Sequence, residues 1–392
     1  MPHATLDALE SRRLFAASLA DGVLTVGGTG GDDVIEVFRA KSNTSKLNVA
    51  VNGVLQQFVL KDVAYLNIRA FDGNDTIKLS KVFGDIVAPM KLFGERGGDT
   101  VVSDVGAPLT VRGGADNDLI DLRGSSGFAV TYGEGGNDTV YGAGGADVPL
   151  GDIVHPGRNL MFGGDGNDSL NCADGSSTMY GDAGNDTLQA NNGDNLLDGG
   201  ADHDLISGGK HEDICYGGAG QDLILAGAGH DIVYGGVDND TLHGNAGDDT
   251  ALGGDGDDAL YGEDGDDDLN GEGGRDTVTG HAGADYLYGG DDNDTLLGDL
   301  PEAYFTGFAD VLVGGGGDDL LEGMGGNDLL LGNDGVDILR GGEGDDDLDG
   351  GAGADLLYGN GGNDDWFGLD AGSFLADNRR EDSGANTFIP GA

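Results

Sequence analysis

The sequence predicts an all-β fold, a parallel β-helix solenoid, on three observations. Glycine is abundant, 80 of 392 residues, and recurs at fixed spacing. Apolar residues make up 38% of the chain and return once every nine residues over long stretches. Asp and Glu total 72 against 19 Lys and Arg, a formal charge of −53, and Asp keeps the same nine-residue phase. A charge of this size works against compaction by self-repulsion, and an aperiodic chain with it would be disordered. Periodicity points instead to a repeat in which each unit contacts only its neighbours. Such acidity excludes nucleic acid as a partner, because phosphate contacts need Lys and Arg. It favours cations.

The repeat is read by counting. Steps of nine from Gly163 give 15 uninterrupted units over 163–297, and a second block of six runs over 314–367. The 16 residues between, GDLPEAYFTGFADVLV, hold about seven too many for the frame, although Asp310 and Leu312 fall in phase at their end. Across the 21 units, position 1 is Gly in 18, position 4 is Gly in 17, position 6 is Asp in 19, and position 8 is apolar in all. Ser177 and Asn195 are the exceptions at position 6. At position 4 the exceptions are Asp202, His211, Asp238 and Asp292. Asp and His are among the non-glycine residues enriched at positive φ, so position 4 is expected to be left-handed.

Each unit is expected to fold as a Gly-rich turn over its first six residues and a short strand over its last three. Position 8 then points inward and positions 7 and 9 outward. Two units make one coil of 18 residues. Same-edge Asp residues therefore recur every 18, about 4.8 Å apart at the strand spacing. Carboxylates at that interval repel unless a cation lies among them. Calcium suits the gap, since it takes six to eight hard oxygens from carboxylates and carbonyls alike. An EF-hand is the competing reading. Segments 266–277 and 345–356 fit part of its loop but end in Thr277 and Leu356, where a bidentate Glu is required.

The pattern GGxGxDxUx resembles the RTX, or hemolysin-type, calcium-binding nonapeptide repeat. The resemblance is strong over 163–367, with fragments at 113–121 and 133–141 and weaker ones around Asp33, Asp75 and Asp99. It implies a parallel β-roll with calcium ions held by position-6 Asp and turn carbonyls. Along one edge it implies ligands at Asp168, Asp186, Asp204, Asp222, Asp240, Asp258, Asp276 and Asp294. Along the other it implies Asp213, Asp231, Asp249, Asp267 and Asp285. The second block adds Asp319, Asp328, Asp337, Asp346, Asp355 and Asp364, and the upstream fragments Asp118 and Asp138. Acids off position 6 are expected to be solvated turn residues. Family members generally leave the cell by type I secretion.

The remaining sequence divides around this array. Residues 1–22 form a candidate sorting segment, with Arg12 and Arg13 before LFAASLA. Region 23–162 is expected to be β-rich, with strands at VLTV, DVIEVFRA, KLNVAV, VLQQFVL, AYLNIRA and TIKLS and a hairpin at Asn52–Gly53. It grades into a β-helix whose coils carry one Asp turn and one plain strand. Residues 298–313 are an insertion, and 368–392 form a cap and tail, with Trp366, Phe367 and Phe374 covering the array's end. Cys172 and Cys215 lie too far apart along the coils for a disulfide. His211, His230 and Glu212 fall short of a transition-metal ligand set. Tyr180, Tyr216, Tyr234 and Tyr288 share position 9, where they pack across strands or offer a sugar-binding row. No apolar run approaches the ~20 residues of a membrane helix.

One inward side chain per nine residues is a thin core, so calcium binding is expected to supply folding energy. The function expected is a calcium-binding repeat protein at the surface of, or secreted by, a bacterium, folding outside the cell in a structural or adhesive role. Its partners are calcium and a polysaccharide or matrix ligand. The alternative is a polysaccharide-modifying enzyme of lyase or mannuronan epimerase type, with its active site on the N-terminal β-helix.

Overall fold

The computed structural model describes residues 16–41, 43–81, 86, 88–143, 159–172, 175–299, 307–367, 373–376 and 387–388. The chain is all-β and divides into two compact units, Met1–Gly199 and Gly200–Ala392. Each is a parallel β-solenoid in which successive coils stack in register.

In unit 1 every expected strand forms. Val23–Gly27 and Val34–Ala40 make the first coil, and Tyr65–Asp72 with Thr76–Ser80 make the next. The inward column on one face runs Ile35, Ile77, Val101, Ile120, Val140, Leu170, Leu188, each paired with the next. Early strands bury more than one apolar residue: Leu66, Ile68 and Ala70 lie inside on one strand, Ile77 and Leu79 on another. The hairpin forms as expected. Asn52 and Gly53 take φ of 49° and 75°, and Asn43–Val51 pairs antiparallel with Val54–Val59. Residues 1–15 of the candidate sorting segment lie outside the described residues; Ala16–Ala20 is a strand antiparallel to Val23–Gly27.

In unit 2 the two inward columns are position 8 of alternate repeats. One runs Ile206, Ile224, Leu242, Leu260, Val278, Leu296, Leu321, Leu339, Leu357. The other runs Cys215, Val233, Ala251, Leu269, Leu287, Leu312, Leu330, Leu348, Trp366. The insertion does not break register, since Leu287 pairs directly with Leu312. Of that insertion, residues 300–306 lie outside the described residues.

Two expectations need correction. Strands are six residues long, as in Ala259–Asp264, and run from position 7 into position 3 of the next repeat. The turn is confined to positions 4–6, because the backbone of positions 1–3 is already paired with the neighbouring coil. Phe374 does not cover the array's end; it is 65% exposed, whereas Trp366 is buried. The EF-hand set aside from the sequence is absent from both segments, which hold strands Asp268–Gly273 and Asp347–Asp349. Cys172 and Cys215 are both buried, and neither is in a disulfide.

Candidate calcium-binding ladders

Each turn places its position-6 Asp inside the wall of the solenoid. All 21 Asp residues expected as ligands are buried, none more than 4% exposed. Turn geometry explains how. Position 4 is left-handed as expected: Asp202, His211, Asp238 and Asp292 have φ of 73–75°. Position 2 is left-handed too, at Asn245, Glu263, Glu272, His281 and Met324. The second Gly of the motif, present in 11 of the 21 units, is the sequence signal for this bend.

The buried carboxylates form hydrogen-bonded ladders. On one edge of unit 2, the Asp240 N–H donates to Asp258 Oδ1 at 2.7 Å, and Asp258 N–H to Asp276 Oδ1 at 2.8 Å. On the other edge, Asp249 N–H donates to Asp267 Oδ1 and Asp267 N–H to Asp285 Oδ1. One oxygen of each carboxylate is thus committed to the backbone. The other is buried without a partner at Asp222, Asp231, Asp240, Asp249, Asp258, Asp267, Asp276, Asp285, Asp294, Asp319, Asp328, Asp337 and Asp346. A buried anionic oxygen left without a partner is costly, and its repetition along these rungs marks a place for cations.

Position-1 glycine leaves the necessary space. A Cβ on Gly253 would lie 2.4 Å from Asp258 Oδ2 and 2.7 Å from the Gly271 carbonyl oxygen. At Gly271 it would lie 2.2 Å from Asp276 Oδ2 and 2.6 Å from the Gly289 carbonyl. One carboxylate oxygen and one carbonyl from the next coil therefore converge on the glycine face. Among the described residues, no three Asp, Glu, His or Cys side chains gather as a metal cluster. The donor set is carboxylate plus carbonyl, all hard oxygens, which is calcium chemistry and not that of a transition metal.

Burial raises the carboxyl pKa along both ladders. Asp258, Asp267 and Asp276 are pushed up to about 6, Asp240, Asp249 and Asp285 to about 7, and Asp294 to about 8. The backbone N–H from the preceding rung opposes the rise, and neighbouring carboxylates add to it.

Unit 1 carries the same rung on a single edge until its last coils. Asp33, Asp75, Asp99, Asp118, Asp138, Asp168 and Asp186 are linked in order, each N–H donating to the next Oδ1 at 2.6–2.7 Å. Asp118 is pushed up to about 8 and Asp168 to about 7, again chiefly by burial. Asp33 ends the ladder differently. Thr29 N–H donates to its Oδ2, and Thr29 Oγ1 and Asn52 Nδ2 donate to its Oδ1. Ser177 and Asn195 keep the backbone link, Ser177 N–H to Asn195 Oδ1 at 2.8 Å, but have no carboxylate.

Besides Asp33, three rungs were absent from the expected ligand set. Asp75, Asp99 and Asp310 all have a buried Oδ2 without a partner. Asp310 links Asp285 to Asp328 across the insertion, and burial pushes it up to about 8. Its phase with Leu312 is the sequence signal. Asp75 and Asp99 are spaced 42 and 24 residues from the preceding rung, so periodicity hides them.

The position-5 acids are not merely solvated. Asp266 N–H donates to Asp248 Oδ1 at 3.1 Å, Ala284 N–H to Asp266 Oδ1 at 2.9 Å, and Arg275 N–H to Asp257 Oδ1 at 3.0 Å. They form an outer, exposed ladder running opposite to the inner one. His230 takes this place with its ring, Nδ1 accepting from Asp248 N–H at 2.9 Å. Tyr216 and Tyr234 stack face to face at 4.8 Å, and Tyr180 stacks on Phe162 at 5.1 Å, which occupies ring faces that a sugar would need.

The model of the RTX calcium-binding nonapeptide repeat matches residues 131–149, overlapping segments across 156–300, and segments 306–339 and 331–365. That is more than half of the chain. The chain belongs to the RTX calcium-binding nonapeptide repeat family. No curated protein matches it. For this RTX chain, the β-solenoid and the family together support a calcium-binding structural protein. Among the described residues, no helix is long and apolar enough to cross a membrane.

Proposed function

We propose that this chain is a secreted or cell-surface bacterial structural protein whose β-roll folds when calcium fills the Asp ladders. The observation that carries the reading is the repeated buried Oδ2 without a partner, facing a glycine that leaves room. The position-6 Asp residues of both edges would hold the ions, with Asp75, Asp99 and Asp310 added to those expected from the repeat. Carbonyls such as those of Gly271 and Gly289 would complete each site. Calcium would supply the positive charge that a −53 chain lacks. Its binding energy becomes folding energy when no site exists in the unfolded chain. RTX repeats are typical of secreted bacterial proteins. Low calcium inside a cell and high calcium outside would keep such a chain unfolded before export and folded after it.

Calcium titration of the chelated protein, followed by circular dichroism and by counting bound ions, tests this. The expected result is a cooperative gain of β signal with several ions bound per chain. A β signal unchanged by chelation, or binding of a single ion, overturns it.

A further inference from the structure

The strand Val54–Val59 is an unprotected edge. Among the described residues it pairs on one side only, with Asn43–Val51. Val54, Leu55 and Val59 are 55%, 52% and 38% exposed. Its sequence, VLQQFV, contains no charge and no proline, the usual devices that keep an edge from pairing with another chain. An exposed strand of this kind accepts a further strand through its free backbone groups.

Charge indicates what covers it. The segment Val34–Arg96 has nine Lys and Arg against six Asp and Glu, +3, in a chain of net −53. Lys46 and Lys61 flank the edge strand in sequence. Unit 2 has five Lys and Arg against 45 Asp and Glu, −40. A second copy of this chain therefore offers the opposite charge. It also offers an edge: Phe374–Ala376 pairs with Leu356–Gly361 on one side, with no described partner on the other, and Phe374 is 65% exposed. Among the described residues, both edges thus combine backbone groups unpaired on one side with an exposed apolar side chain.

We propose that the chain associates head to tail, strand Val54–Val59 of one copy pairing with strand Phe374–Ala376 of a second copy. The two surfaces differ, so the contact is heterologous and extends copy by copy instead of stopping at a symmetric pair. Attraction between a basic and an acidic surface adds rate and specificity and is screened by salt.

Sedimentation velocity of the full chain in excess calcium tests this, at ionic strengths of about 0.01 M and about 1 M, where the Debye length falls from ~30 Å to ~3 Å. Circular dichroism on the same samples reports folding separately, so a failure to fold with calcium is distinguished from a failure to associate. The expected result is a series of species growing with concentration at low salt and receding at high salt. Leu55→Asp and Phe374→Asp alter exposed positions and should each leave the spectrum unchanged and the chain a single copy. Mixed together, the two variants should form two-copy complexes that do not extend, because one intact head meets one intact tail. A wild-type chain that stays single at every concentration overturns the proposal. So does an assembly that stops at two copies, or one that survives both substitutions.

Discussion

The two units use one rung in two settings. Unit 1 has 14 Lys and Arg against 27 Asp and Glu, a net −13, while unit 2 stands at −40. Through its early coils unit 1 links Asp residues along one edge, and strands such as Tyr65–Asp72 bury Leu66, Ile68 and Ala70. Unit 2 links Asp along both edges, and strands such as Ala259–Asp264 bury one large apolar side chain, Leu260. Each fully buried Leu or Ile contributes about 1.5–3 kcal/mol. Unit 1 therefore gains more from its core and has less repulsion to offset, so the two units should differ in how much they need calcium. Among the described residues, arginine lies over a ring at Arg69, Arg112 and Arg123 in unit 1 but only at Arg340 in unit 2.

Chelation should separate the units most sharply. In EDTA, amides of Leu260 and Leu269 should lose hydrogen-exchange protection almost completely, while those of Leu66 and Ile68 keep a measurable part of theirs. Equal loss across the chain would erase the distinction. Mass spectrometry of exchanged peptides from the whole protein gives the answer.

Acid should partly replace calcium. An Asp whose folded pKa is raised above its unfolded value, about 4, stabilises the fold below that value and stops doing so as pH rises through the folded one. The window ends near 6 for Asp258, 7 for Asp240 and 8 for Asp294. The metal-free chain should therefore show more β signal at pH 5 than at pH 8. Calcium affinity should run the other way, because its ligands must be deprotonated. A metal-free spectrum that does not change between these pH values would contradict the account of the ladders.

Single residues should produce smaller effects. Gly253→Ala puts a Cβ into the space between Asp258 Oδ2 and the Gly271 carbonyl. It should cost about 1–3 kcal/mol by overpacking and remove local calcium binding, read by denaturant melts in calcium and by ion counting. Gly30→Ala, where a Cβ meets nothing within 4 Å, is the unit 1 control and should change little. Apart from that control, Asp238→Gly should give the smallest effect, a gain of roughly 0.5–1 kcal/mol as the left-handed strain at φ 74° is relieved, partly offset by backbone entropy.

Much of unit 2 was legible because it is built by repetition. Position 8 alternates between two inward columns, and every one of those side chains from Ile206 to Leu357 is buried. Left-handed φ at position 4 could be read from Asp202 and His211, since only some residues bear it. Asp310 lay one short step from recognition, in phase with Leu312 beyond an insertion. Asp75 and Asp99 were harder, because the hairpin Asn43–Val51/Val54–Val59 lengthens the step from Asp33 and the step from Asp75 to Asp99 is 24 residues, not 18, so the period is lost although the rungs still stack.

By itself, the sequence determined the nine-residue half-coil, the inward and outward faces, and which Asp belongs to which edge. These follow from periodicity, which local sterics and burial impose on every unit alike. Tertiary structure alone decided how each carboxylate is used. The Asp258 side chain was expected to meet Asp276 across a shared ion. The Asp258 backbone N–H also holds Asp276 Oδ1, and the Oδ2 atoms of both residues are buried without a partner. The outer ladder of Asp248 and Asp266, and the closing of the inner one by Thr29 and Asn52 at Asp33, were likewise invisible in the sequence. A hydrogen bond between coils depends on where stacking places a donor 18 or more residues away, and residue type does not record that.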